Sequence, residues 1–342
     1  MKPFRTFASD NCAAVHPRIM AALLAANSGH AESYGKDRFT HSAIGKFQEH
    51  FGRDVDVYFV FNGTAANVLS LKAITESFHA VLCSEWSHLN RHECGGPERF
   101  LGCKLIDLPS SHGKIRVADI EPWLTEYDEH YAQPKAISIT QATELGTLYR
   151  SDEVREIARA AHRHGLLLHM DGARICNAAA ALREPLRKVT RDLGVDVLSF
   201  GGTKNGLMFG DAVVFFDRQL SRNFKYIRKQ GLQLGSKMRY IGAQFDALLT
   251  DGLWLECAAH ANRMAALLAK LMRTVPGVNV VEKVETNVVF AQIPKSKVKA
   301  LQRKHVFHMW DTEKSVARWM TAFDTTPENV RSFAEAVRAE LA

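Results

Sequence analysis

A single lysine, Lys204, stands in a glycine-bounded turn between two apolar runs, "VDVLSFGGTKNGLMFGDAVVFF" (195–216). Runs of this length and composition read as buried strands. A lysine at their mouth is either a solvated turn residue or an amine kept for chemistry. A second apolar run, "LLLHMDGARICNA" (166–178), ends on Asp171, with Gly172 and Arg174 just beyond. A carboxylate at a strand end is costly unless it is paired or used, and a structural pair with Arg174 is the plainer alternative. Lys204 follows Asp171 by 33 residues, which fits one strand–helix–strand crossover and puts both at the same edge of neighbouring parallel strands. "FNGTAAN" (61–67) adds a third part: Gly63 lets the backbone approach a ligand, Thr64 is suited to cap, and the first helical amides are free for a phosphate. Neither a P-loop nor a GxGxxG fingerprint is present. A lysine, a carboxylate and a phosphate cup at one edge form the set that pyridoxal phosphate requires. The lysine makes the Schiff base, the carboxylate holds the pyridinium N–H, and the cup seats the phosphate.

"CSEWSHLNRHECGGPE" (83–98) contributes His88 as a flat ring to stack on that cofactor. His88, His92 and Glu93 together also suggest zinc. The order is not HExxH and Gly95-Gly96 breaks the helix, so no metal is expected and His92 reads as a surface residue.

The elements that must position these residues recur along the chain. Apolar runs at 57–61, 80–83, 103–108, 135–140, 166–170, 197–200 and 212–216 alternate with amphipathic stretches. In "SDEVREIARAAHRHG" (151–165), Val154, Ile157, Ala158 and Ala161 fall at helical spacing, Ser151 is a candidate cap and Gly165 a stop. The pattern predicts an α/β fold with a mostly parallel seven-stranded sheet covered on both faces. After about residue 250 the texture changes to a long helix (252–277), short strands at 278–282, 287–293 and 316–323, and a last helix opened by Thr326-Pro327-Glu328. The expected organisation is therefore a large ligand-binding domain (46–250), a small α+β domain (251–342), and an N-terminal segment (1–45) packed against the small one.

Composition narrows the class. Hydrophobic residues make up 46% and charged residues 24% of 342, as in ordinary globular proteins. The net charge of +7 comes from 44 Lys+Arg against 37 Asp+Glu, and the cations are scattered without interleaved aromatics. Nucleic-acid binding is not expected. No run is long enough for a membrane span, and "MKPFRTFASDNCAAVHPRIM" has no apolar leader core. Six cysteines form no CxxC pair and read as reduced, buried thiols. A cytoplasmic location is expected.

The motifs "FASDN", "YGKD", "FNGTAAN", "SHLNRHECGGPE", "LHMDGAR", "FGGTKNG", "KMR" and "VARWM", in this order and over nearly the whole chain, resemble those of the low-specificity L-threonine aldolases of the fold type I pyridoxal-phosphate enzymes. The resemblance implies retro-aldol cleavage of L-threonine, L-allo-threonine and related β-hydroxy-α-amino acids to glycine and an aldehyde. β-Elimination or racemisation by the same cofactor is the alternative. It makes Lys204 the Schiff-base lysine, Asp171 the pyridine partner, His88 the stacking ring, and Gly63, Thr64 and Ala65 the phosphate turn. Ser9, Arg174 and Arg318 fall where the family holds the substrate carboxylate, with Arg174 also able to touch the cofactor. Tyr34 matches an active-site tyrosine. Lys229 and Arg239 match cations that reach the phosphate from a neighbouring subunit, which implies a homodimer or a dimer of dimers with shared sites. One departure stands out: Glu144, in "TQATELG", occupies the place of a family histidine near the substrate hydroxyl. That leaves open which group takes the hydroxyl proton.

Overall fold

The computed structural model describes residues 6–125 and 128–342. The seven apolar runs all form strands: β1 (Asp56–Val60), β2 (His79–Ser84), β3 (Lys104–Leu108), β4 (Gln133–Thr140), β5 (Leu167–Gly172), β6 (Val197–Gly201) and β7 (Asp211–Phe215). They make one sheet in the order β1-β7-β6-β5-β4-β2-β3. β2 to β6 pair in parallel, while β7 runs antiparallel to both β6 and β1. Six strands therefore end at one edge, where open α/β sheets bind ligands.

Both faces of this sheet are covered, as continuous apolar strands require. Phe59, Phe200 and Val214 point to one side, into a core with Phe47 and Phe245. Their neighbours Val60, Val197, Val213 and Phe215 point to the other, against Leu69, Leu71 and Phe224. Phe47 anchors the first side, with its ring centroid 5.1 Å from Phe200 and 5.4 Å from Phe245. In the helix Ser151–Arg163 the apolar stripe is buried as its spacing predicts. Its cap differs from expectation: Ser151 is already helical, and Glu153 reaches back to accept from the Arg150 amide at 2.6 Å.

A second, antiparallel sheet has the order β10-β11-β9-β8, from β8 (Asn279–Val280), β9 (Val288–Gln292), β10 (His308–Asp311) and β11 (Val316–Met320). β10 and the helix Lys295–Lys304 are not foreseen by the sequence pattern. β10 is an edge strand interrupted by a bulge, and that helix buries only Leu301, so neither has a strong apolar period. Thr326 caps the last helix as expected, accepting from Asn329 N at 3.2 Å.

Two segments contribute to both cores. The helix Leu253–Met272 gives Leu253, Trp254, Cys257 and Ala258 to the first core and Met264, Leu268 and Met272 to the core of the small sheet. The N-terminal segment likewise divides. Phe7 stacks on Phe333 at 4.5 Å in the second core, whereas Ile19 and Ala43 are buried in the first. The cysteines are unpaired, but Cys12 and Cys94 are exposed rather than buried. Among the described residues no helix is long and apolar enough to cross a membrane.

Candidate active site

Asp171 lies near the end of β5, in register with Ser199 of β6, and Lys204 follows β6 in a short turn, Thr203–Asn205. The two glycines before Lys204 are required by close approach. A Cβ on Gly201 would lie 2.3 Å from the Ala173 carbonyl oxygen, and one on Gly202 would lie 2.7 Å from the Gly210 carbonyl oxygen. Asp211, at the start of β7, fixes the turn by accepting from Gly202 N at 2.8 Å. Lys204 and Asp171 line one cavity of about 360 Å³ with Gly63, Thr64, His88, Glu144, Ser199 and Asp211.

Asp171 is not the structural partner of Arg174. Its Oδ2 accepts from Asn67 Nδ2 at 3.0 Å and its Oδ1 from Ala173 N at 2.9 Å. Arg174 instead pairs with Asp10, through Nε to Oδ2 at 2.7 Å and Nη2 to Oδ1 at 2.9 Å. Burial works against the Asp10 carboxylate, but Arg174, with Lys204 and Asn287, holds it below its ordinary range. Two nitrogens of Arg174 are thus already committed within the chain.

At the Gly63 turn the cap is Asn62, not Thr64: Asn62 Oδ1 accepts from Ala65 N at 2.9 Å. That uses the Ala65 amide, and Ala65 does not line the cavity. Gly63 and Thr64 do, as the first two residues of the helix Gly63–Ile74, where backbone N–H groups have no partner one turn back. His88 enters from the loop after β2, its Nδ1 2.8 Å from Glu93 Oε1. Burial disfavours its charged form, yet Glu93, Asp171 and Glu144 hold its pKa above the ordinary value. His92 is exposed, and no group of three metal-binding side chains occurs among the described residues.

Arg318, on β11, closes a small recess beside the cavity with Thr143, Glu144, Arg174 and Met320. Its Nη2 donates to Ala8 O at 3.4 Å, and its buried Nε has no partner among the described residues. Burial and the nearby Arg174 push its pKa down, so an anion in this recess is favoured.

Four further residues are not brought to the cavity. Ser9 caps a short turn, accepting from Asn11 N at 3.1 Å, and lines a separate recess with Phe7 and Cys12; Asn11 reaches the cavity instead. Tyr34 is exposed, with Lys229 Nζ 5.3 Å from its ring centroid. Arg239 donates to Gly29 O at 3.1 Å and faces another surface recess. Conversely, Asp10, Asn67 and Asp211 are given no role by the sequence pattern, although the first two lie within "FASDN" and "FNGTAAN", and Glu93 suggests itself there only as a zinc ligand. The usable signal for Glu93 is an acid five residues beyond a ring histidine, just ahead of a Cys-Gly-Gly turn.

Comparison with known proteins decides the family. The profile of the β-eliminating lyases matches residues 6–296. The chain belongs to this family. Low specificity L-threonine aldolases from Pseudomonas sp. (strain NCIMB 10558) and Pseudomonas aeruginosa are each 44% identical to it. The first alignment covers 98% of this chain and 97% of the relative, the second 97% and 96%. An alanine racemase from Cochliobolus carbonum is 27% identical over 86% of this chain and 77% of its own length. The solved threonine aldolase of Leishmania major superposes with a TM-score of 0.92 at 29% identity, covering 99% of this chain and 100% of that one. The fold is that of the fold type I enzymes.

Proposed function

We propose that this family member is a pyridoxal-phosphate-dependent aldolase that splits L-threonine, L-allo-threonine and related β-hydroxy-α-amino acids into glycine and an aldehyde. The observation that carries the reading is the convergence of Lys204, Asp171, His88 and the Gly63 turn on one cavity. The residues fit the cofactor. Gly63 and Thr64 offer the first-turn amides of a helix to a phosphate, Lys204 offers its amine, Asp171 a buried carboxylate, and His88 a flat ring. When bound, the cofactor supplies an electron sink for the charge left on the substrate α-carbon.

The chain's own residues do the rest. Asp171, aligned by Asn67 and the Ala173 amide, would hold the cofactor's pyridine nitrogen in its protonated form. Arg318 takes the substrate carboxylate through its unpartnered Nε. Arg174, held rigid by Asp10, adds positive charge to the same recess. Fixing the carboxylate orients the bond to be broken. His88 and Glu144 both line the cavity and are the groups able to hold the hydroxyl proton.

The protein works in this reading as a cytoplasmic homodimer or dimer of dimers with shared sites. Support comes from Lys229 and Arg239, which face away from their own cavity, and from the exposed Met208, Phe209 and Leu232 nearby in sequence. Incubating the purified protein with L-threonine and L-serine tests the reaction. Acetaldehyde and glycine from threonine are expected; pyruvate from serine, or conversion of an L- to a D-amino acid without cleavage, would replace the aldolase reading.

A further inference from the structure

We propose that Glu93 is a positioning residue for this reaction: it fixes the His88 ring with the hydrogen on Nδ1, so that Nε2 faces the cavity as the proton acceptor, and Asn67 ties the pair to Asp171. The inference rests on the aldolase reading for its catalytic meaning, but its geometry stands apart from it.

The Glu93 side chain has no solvent exposure. Its Oε1 lies 2.8 Å from His88 Nδ1 and accepts from Asn67 Nδ2 at 3.0 Å. The same Asn67 nitrogen donates to Asp171 Oδ2, also at 3.0 Å. An amide nitrogen has two hydrogens, and here each serves one carboxylate. The reverse orientation of the amide would set an oxygen between two acids, so the chemistry fixes the assignment. An ionised carboxylate can only accept, so His88 must donate from Nδ1, and the neutral ring keeps its lone pair on Nε2.

The remaining oxygen argues against a merely structural role. Glu93 Oε2 is buried without a partner among the described residues, which is a costly state for a group that packing alone does not need. Burial pushes Glu93 up, and the bonds from His88 and Asn67 only partly offset that. The charged or titratable groups around His88 include Glu93, Asp171, Glu144, the His92 ring at 5.5 Å and, across the same cavity, Lys204. Of the acids among them, Glu93 is the one hydrogen-bonded to the ring. It therefore sets the tautomer, whereas the others act through space.

The test uses the cofactor-loaded protein with isotope-labelled histidine, with the His88 signals assigned by their loss in His88→Gln. Wild-type His88 is expected to carry its neutral hydrogen on Nδ1 and to titrate above an ordinary histidine. In Glu93→Gln the midpoint should fall by roughly one to two pH units. The acid limb of kcat/KM for L-threonine should move down with it, and Glu93→Asp should recover part of the shift. A wild-type ring protonated on Nε2 would overturn the proposal even if the variant did not fold. So would a Glu93→Gln variant in which the midpoint and the limb stay in place and only thermal stability falls. The resonance needs no turnover, so a protein that fails to cleave threonine would strike the proposed function and leave the Glu93 assignment to be decided by the spectrum.

Discussion

The two ends of the candidate site are built on different terms. Around Asp171 the polar partners come from within one chain: Asn67 and the Ala173 amide bind its oxygens, and Glu93 and His88 continue the network. Two residues earlier on β5, His169 is sealed between Ser138 at 2.9 Å and Ser199 at 3.0 Å. The Gly63 end lacks that self-sufficiency. The acid nearest to Gly63 is Asp211, whose Oδ2 lies 3.6 Å from where a Cβ on Gly63 would stand, while Lys229 and Arg239 do not line the cavity. A phosphate placed beside Gly63 by one chain alone meets the Asp211 carboxylate as well as the Lys204 amine. The comparison teaches that folding completes the hydrogen-bonded network around Asp171 within one chain, whereas the proposed phosphate end is where the shared-site reading predicts that a second chain adds charge.

Four measurements would break or sharpen that contrast. The largest effect is expected at the residue joining both ends. Lys204→Ala should lower turnover by roughly 10⁴-fold or more and remove the visible absorbance of the bound cofactor, with the circular dichroism of the fold unchanged. Next comes sharing between chains: inactive Lys204→Ala and Arg239→Ala proteins, mixed after mild dissociation, should recover about one quarter of wild-type activity through hybrid dimers. No recovery would mean that each chain completes its own anion end.

The third measurement concerns His169, whose burial holds its pKa down at about 4. The folded value lies below the ordinary 6.5, so the unfolded chain binds this proton first. The neutral ring's contribution is fully present above 6.5 and is lost as pH falls towards 4, by up to about 3 kcal/mol. Denaturant titrations across that window should show a steeper loss for wild type than for His169→Gln; equal slopes would show that the interior is less sealed than its hydrogen bonds suggest. The smallest effect is expected at Ser9. Its hydroxyl serves a local turn, so Ser9→Ala should cost about 1 kcal/mol of stability at most and leave KM for threonine nearly unchanged. A large rise in KM would return Ser9 to the substrate carboxylate.

Much of this site is legible in the sequence, for a local reason. The strands around Lys204 and Asp171 are continuous apolar runs closed by glycines, and a residue just past such a run must stand at the sheet edge. The Asp171–Lys204 juxtaposition needs only a crossover of ordinary length. Thr64 is less legible as a non-cap, because Asn62, two residues earlier, competes for the same role and its side-chain oxygen takes the Ala65 amide. The edge strand β10 stays hidden because its apolar pair, Met309 and Trp310, is too short to establish a period.

The sequence by itself determined the elements, the strand ends at which chemistry is possible, and the family to which the chain belongs, because these depend on local patterns that few alternatives share. Only the tertiary structure decided who holds whom. Arg174 turns to Asp10, 164 positions away, and not to Asp171 beside it. Asn67 reaches Asp171 across 104 positions while also holding Glu93. Such pairings follow from burial: a carboxylate or guanidinium taken out of water must bind whichever partner the folded chain brings within reach, and separation along the sequence carries no information about that reach.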